Sequence, residues 1–80
     1  MKEKSELKRL LGGNIKRLRL SRNWGVVGLA DSAGVAFSSV SHIEIGRLLP
    51  NVYTLHRIAC ALGVTIDQLM QEPNGKDETR

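Results

Sequence analysis

The sequence contains one cysteine, three aromatic residues and no long apolar run. Because Cys60 has no second cysteine to pair with, an internal disulfide bond is excluded and a reducing compartment is expected. The longest apolar run falls far short of the ~20 residues that span a bilayer, and the N-terminus lacks the apolar segment of a signal peptide. We therefore expect a cytoplasmic protein with a mostly aliphatic core and no contact with membrane.

Patterns typical of catalysis and metal binding are also missing. His56 and Cys60 stand one helical turn apart, but zinc requires three or four protein ligands and no third candidate has a suitable spacing. The sequence has no nucleophile elbow, no phosphate-binding glycine loop and no pair of catalytic carboxylates. We predict no enzymatic activity, no metal and no cofactor, and we expect Cys60 to be a small buried side chain in an apolar helix pattern.

The basic charge is concentrated at one end of the chain. The 80 residues suit a single domain, with 41% hydrophobic and 25% charged side chains and a net charge of +4. Residues 1–22 contain eight of the 12 Lys and Arg residues and only two acidic ones, whereas the remainder has a net charge of −2. This asymmetry favours a polyanionic partner, with a solvated basic helix face as the alternative. Nucleic acid is favoured over a membrane surface, because the leucines of the first helix are needed for the core.

Residues 34–46 have helical periodicity with small hydroxyl residues on one side. The apolar positions predict a buried seam, formed by Val35, Ala36, Val40 and Ile43. The other positions predict an exposed surface, formed by Phe37, Ser38, Ser41, His42 and Ile45. Residues 26–33 predict a second short helix, and Gly34 allows the positive φ of a sharp corner between the two. Residues 26–45 therefore predict a helix-turn-helix.

Three further helices are indicated. The first is predicted to begin with Ser5 as its cap and to end near Arg22, with Asn14 on its inner side and an apolar stripe of Leu7, Leu10, Leu11, Ile15 and Leu18. Within it, Gly12 and Gly13 either weaken the helix or mark a close backbone approach, and the sequence leaves both alternatives open.

The fourth and fifth helices have clear start and stop signals. Asn51 is the expected cap of the fourth helix and Gly63 its end, with a core face of Val52, Leu55, Ile58, Ala59 and Leu62. Thr65 and Gln68 fit a capping box at the start of the fifth helix, which should end near Gln71. The domain is therefore predicted to span 1–71, followed by a polar flexible tail at 72–80.

A set of segments occurs at the spacing of a known family: Leu11-Gly12, 15–19, Leu29-Ala30, Gly34-Val35, 40–46, Pro50 and 55–64. Together they resemble the Cro/C1-type helix-turn-helix domain of phage repressors, also called the XRE family. The resemblance covers about residues 10–70. It implies an all-α fold of five short, lambda-repressor-like helices.

The resemblance also implies roles for individual residues. The third helix, at about 37–45, is expected to enter the DNA major groove. The implied DNA-binding positions are Phe37, Ser38 and His42 at base edges, Ser41 near the groove floor, Ser39 near phosphate, Arg47 as a cationic contact and Val26 at the start of the second helix. The family usually has a polar cap and a glutamine where this chain has Gly25 and Val26, so only the backbone amides of that helix remain as a phosphate anchor.

Structural support and partners follow from the same resemblance. Arg19 and Glu44 occupy positions that pair as a salt bridge between the first and third helices. The implied function is that of a sequence-specific DNA-binding transcriptional regulator, a repressor acting as a homodimer on double-stranded DNA with a palindromic operator. Further cationic contacts could come from Lys16, Arg17 and Arg22.

An alternative rests on an apolar surface. Phe37, Ile45, Leu48 and Leu49 would make an unusually apolar surface for a DNA reader, and such patches are typical of protein interfaces. An antitoxin or another interaction module that binds a protein partner is therefore the alternative function.

Overall fold

A computed structural model describes residues 3–73, and five helices make up the regular structure of this range. They are α1 (Lys4–Ser21), α2 (Val26–Ala33), α3 (Phe37–Glu44), α4 (Val52–Leu62) and α5 (Ile66–Met70). The described part of the chain contains no strand, and the predicted all-α, five-helix fold is confirmed. Of the predicted tail, only Glu72 and Pro73 lie within the described residues.

The core is aliphatic and lies where the five helices meet. Helix α1 packs against α3 and α5, while α2 packs against α3 and α4. The largest fully buried apolar side chains come from all five helices: Leu11, Ile15, Leu29, Val40, Ile43, Ile58, Leu62 and Leu69. Trp24 is half-buried against this cluster, at the connection from α1 to α2. Among residues 3–73, no helix combines the length and apolarity that a membrane crossing requires.

Most helix ends follow the predicted local chemistry. The Asn51 side chain accepts a hydrogen bond from the Thr54 N–H at 2.8 Å, and Gly63 ends α4 in the left-handed conformation with φ 72°. The Thr65 N–H donates to Gln68 Oε1 at 2.9 Å, and the Gln68 N–H donates to Thr65 Oγ at 3.0 Å, which completes the predicted capping box. Helix α5 ends one residue before the predicted Gln71.

The predicted start of α1 is wrong. The N-cap is Glu3 instead of Ser5, and the Glu3 N–H donates to the Glu6 carboxylate at 3.4 Å. A carboxylate at each of these two positions forms a reciprocal capping box, so the helix begins before the serine hydroxyl could cap it.

Three residues expected in the core are exposed. Ala36 is the N-cap of α3, Val52 is the first residue of α4 with 75% of its surface exposed, and Cys60 faces solvent. Val52 extends beyond the packed region because it lies at the end of its helix. Cys60 directly follows the buried Ala59, and a helical step of about 100° per residue turns its side chain out of the buried stripe.

Candidate nucleic-acid interface

A sharp corner sets α3 against α2. Gly34 has φ 71° and ψ 35°, the left-handed conformation that costs glycine little. Its N–H donates to the Ala30 carbonyl at 2.8 Å, and the Val35 N–H donates to the same oxygen at 3.1 Å. These bonds close the end of α2 and turn the chain into α3. The predicted corner at Gly34 is confirmed.

The outer face of α3 is exposed in part, while its inner face is packed into the core. Val40 and Ile43 are fully buried, as predicted, and Val35 is half-buried. The exposed side chains include Phe37, with 53% of its surface accessible. The other predicted DNA-binding positions of α3 divide into exposed Ser38 and His42 and half-buried Ser39 and Ser41.

The C-terminal end of α3 is tied to α1 by a two-pronged ion pair. Arg19 Nε donates to Glu44 Oε2 at 2.7 Å, and Nη2 donates to Oε1 at 2.9 Å. Only 8% and 6% of the two side chains are exposed. The third prong of the guanidinium, Nη1, donates to the Trp24 carbonyl at 2.7 Å. The pairing of Arg19 with Glu44 expected from the sequence is present, and it holds the exposed helix at a defined angle.

The electrostatics of this pair reinforce it. The hydrogen bond to the Glu44 carboxylate raises the pKa of Arg19. Burial lowers this pKa, and the negative charge of Glu44 raises it. The guanidinium therefore stays charged in the folded protein. Removal of one partner would leave the other charge buried and unpaired, which strongly destabilises a fold, so each residue depends on the other.

Gly12 allows α1 to lie directly against the end of α3. A Cβ at Gly12 would stand 2.8 Å from the Glu44 carbonyl oxygen and would also collide with the carbonyl oxygen of Ile43. At Gly13, by contrast, nothing lies within 4 Å of such a Cβ. The sequence left two explanations open for these glycines, and the structure assigns close backbone approach to Gly12 alone.

The cations near α3 are fewer than the sequence suggested. Arg47 is exposed in the turn after α3, where its N–H donates to the His42 carbonyl at 2.9 Å. Arg9 approaches the same turn, since its Cα lies 4.0 Å from the place that a Cβ would take at Gly46. Lys16 is exposed on α1.

Two other candidate cations are held in contacts within the domain. Arg22 donates to the Leu62 carbonyl at the end of α4 and lies over the Trp24 ring at 5.5 Å from its centroid, so its guanidinium is engaged within the domain. Arg17 donates to Asn14 Oδ1 at 3.2 Å. The sequence could not show the Arg22 contact, because its partner is 40 residues away along the chain. The Arg17 contact depends on Asn14, whose side chain is buried in the folded domain.

The start of α2 presents backbone rather than side chains. Gly25 is the N-cap, and it has no side chain to accept a hydrogen bond from the N–H groups of the first turn. Val26 is half-buried against the core, while Val27 is exposed. A helix N-terminus without a side-chain cap offers amide donors and a positive dipole end to an anion.

His56 and Cys60 lie together on the outer face of α4, away from α3. Their closest approach is 3.6 Å, between His56 Nε2 and Cys60 Sγ. No third His, Cys, Asp or Glu joins them in a group able to hold a metal ion within the described part of the chain. The prediction that Cys60 is buried is therefore wrong, and its thiol is exposed beside the imidazole of His56.

Comparison with known proteins decides the family. A family model described as helix-turn-helix matches residues 15–69, more than half of the chain. The chain belongs to the Cro/C1-type helix-turn-helix family. This family consists of DNA-binding transcriptional regulators and is not an enzyme family.

Named relatives and solved structures agree with this assignment. The HTH-type transcriptional regulator SutR of Escherichia coli (strain K12) is 34% identical over 67 residues, covering 84% of this chain and 38% of SutR. The chain thus spans little more than a third of the length of SutR. The hypothetical transcription factor NHTF from Neisseria superposes with a TM-score of 0.83 at 25% identity, covering 100% of this chain and 92% of that one. A chain of a SinR protein/SinI protein complex gives 0.77 at 28% identity, covering 86% and 68%.

Proposed function

We propose that this helix-turn-helix domain binds double-stranded DNA in a sequence-specific manner and regulates transcription. One observation carries the proposal: Phe37, Ser38 and His42 on the outer face of α3 are exposed, while the Arg19–Glu44 pair and Gly12 fix the helix from behind. A recognition helix needs this combination, because base edges are read only by side chains that are held in register with the groove.

The proposed contacts follow from position and chemistry. The N-terminal part of α3 enters the major groove, with Phe37, Ser38 and His42 toward the base edges. From the family resemblance, Ser41 is assigned near the groove floor and Ser39 near a phosphate, and both side chains are half-buried. Two further phosphate anchors are proposed.

The first phosphate anchor is Arg47, which is exposed in the turn after α3. The second is the backbone at the start of α2, where Val26 contributes its N–H group instead of its side chain. Lys16 and Arg9 are exposed cations of α1. Phosphate contacts of this kind supply affinity without sequence information, whereas the α3 side chains supply the sequence preference.

We further propose that the protein acts in the cytoplasm as a homodimer and a repressor. A symmetric dimer would place two copies of α3 in successive major grooves about 34 Å apart, so its operator would be palindromic. Occupation of such an operator beside a promoter would block transcription.

Fluorescence anisotropy with DNA tests this proposal. Operators are first selected from a genomic library, and the dissociation constant is then measured over a series of salt concentrations. We expect tight binding to the selected sequence, weak binding to a scrambled duplex of the same composition, and a steep loss of affinity with salt. Sedimentation of the complex should give two protein chains per duplex. Equal binding to both duplexes would refute sequence specificity.

A second candidate function has its own observation. Phe37, Ile45 and Leu48 are exposed, with 64% of the Ile45 surface and 40% of the Leu48 surface accessible, whereas Leu49 packs against the core. The apolar surface is therefore smaller than the four residues predicted. A protein partner on this surface is the alternative, and a structural neighbour of this chain was solved in a complex of SinR with SinI. A stoichiometric partner that is lost in Leu48→Lys, with DNA binding retained, would support it.

A further inference from the structure

The N-terminal end of α3 has exposed apolar side chains where a DNA-reading helix usually has hydrogen-bonding groups. Ala36, expected in the buried seam, is instead the exposed N-cap residue, with extended backbone at φ −69° and ψ 141°. Phe37 follows it directly, and about half of its surface is accessible. A methyl group and a phenyl ring therefore stand side by side at the end of the helix that the proposed function directs toward the bases.

The same face lacks the side chains that recognise purines. Guanine is read by the paired donors of Arg or Lys, and adenine by the amides of Asn or Gln. None of these residue types occurs in α3, whose sequence is Phe-Ser-Ser-Val-Ser-His-Ile-Glu. Its one carboxylate, on Glu44, is bound to Arg19. Ser38 and His42 remain, and each makes a single hydrogen bond that discriminates bases weakly.

Thymine is the base that offers a carbon group to the major groove. Its C5-methyl projects into the groove, and Ala and Phe are side chains that contact it. We infer that this protein selects its DNA by the methyl groups of thymine, through Ala36 and Phe37, so that each operator half-site carries thymine opposite the start of α3. The inference rests on the proposed function and names the chemical group that the site reads.

Replacement of thymine by deoxyuridine tests this directly, because only the methyl group is removed and base pairing is kept. Each thymine of a selected operator is replaced in turn, and the dissociation constant of the wild-type protein is measured by anisotropy. We expect one or two positions in each half-site at which the substitution weakens binding about fourfold, the value for one buried methyl group. Replacement outside the half-sites should leave the dissociation constant unchanged.

Variants assign the contact to its residue. In Phe37→Ala, replacement of the thymine that contacts Phe37 by deoxyuridine should no longer weaken binding. In Ala36→Gly, the same loss of effect is expected at a neighbouring thymine. Val52→Ala serves as the control, because Val52 is exposed on α4, outside α2 and α3, and it should keep the wild-type pattern. Circular dichroism checks that each variant is folded.

The outcomes separate the inference from the function on which it rests. Sequence-specific binding with a deoxyuridine penalty that Phe37→Ala removes supports both. Sequence-specific binding that is indifferent to deoxyuridine at every position overturns the inference and leaves the proposed function intact. Failure to bind any selected duplex more tightly than a scrambled one overturns both.

Discussion

Arg57 of α4 donates a hydrogen bond from Nε to the carbonyl oxygen of Ala33, the last residue of α2, at 2.7 Å. The guanidinium also lies over the ring of Tyr53, 5.8 Å from its centroid. Carbonyl groups at a helix C-terminus lack partners within the helix, and a cation there also complements the dipole. Arg57 thus stabilises the end of α2 at the corner that orients α3.

Arg22 makes a similar contact with the C-terminal end of α4. It donates to the carbonyl oxygen of Leu62, the last residue of α4, and lies over Trp24. Both helices end at a left-handed glycine, Gly34 or Gly63. The last carbonyl group of each accepts a hydrogen bond from an arginine outside that helix, Arg57 for α2 and Arg22, the residue that follows α1, for α4. In both contacts, an N–H group of the guanidinium is used within the domain.

Loss of the Arg57 contact should destabilise the domain. We expect Arg57→Met, which keeps much of the side-chain length, to lower the free energy of unfolding by about 1.5 to 3 kcal/mol, the range for a hydrogen bond to a charged group. Urea denaturation followed by circular dichroism measures the change. Arg47→Met is the matched control, because Arg47 is exposed and its side chain makes no hydrogen bond or ion pair with any residue of 3–73. Equal stability of the two variants would contradict the role assigned to Arg57.

Alanine substitution at the two glycines of α1 should change the free energy of unfolding in opposite directions. Gly12→Ala forces a Cβ against the carbonyl groups of Ile43 and Glu44, so we expect a loss of about 1 to 3 kcal/mol of unfolding free energy. Gly13→Ala meets open space and gains helix propensity, so we expect a gain of about 1 kcal/mol. Thermal denaturation of the pair gives the comparison. A stabilising Gly12→Ala would show that α1 does not lie against α3 as described.

The Arg19–Glu44 pair should show strong coupling. Arg19→Met or Glu44→Leu alone leaves a buried charge without its partner, and each should cost about 3 to 5 kcal/mol. The double variant should lose much less than the sum of the two, since no charge is left unpaired. Denaturant titrations of the four proteins give the coupling energy. Additive losses would mean that the two side chains act independently.

Two substitutions at the proposed DNA surface should separate specificity from affinity. We expect Ser38→Ala to weaken the base preference at one or two operator positions with little change in nonspecific binding. Arg47→Ala should instead weaken binding to all sequences alike and reduce the slope of log affinity against log salt by about 1. Binding selections and salt titrations measure these effects. If Arg47→Ala changed base preference, its placement at phosphate would be wrong.

The backbone geometry around the candidate site was predictable where it depends on residues close together in the sequence. The bounds of α2 and the Gly34 corner follow from glycine conformation and helical periodicity. The Arg19–Glu44 contact was predictable only from the resemblance to the family, because 25 residues separate the two side chains. The contacts of Arg22 and Arg57 were missed, since long side chains that reach another helix leave no periodic signal in the sequence.

By itself, the sequence determined five helices, their order and most of their ends, because caps and glycine turns depend on residues within about four positions of one another. Only the tertiary structure decided which of two adjacent glycines is needed for packing, which arginines donate to the end of another helix, and that Ala36 and Cys60 face solvent. These outcomes depend on the angle and depth at which helices meet. That geometry is set by the whole core, and no single segment of the chain specifies it.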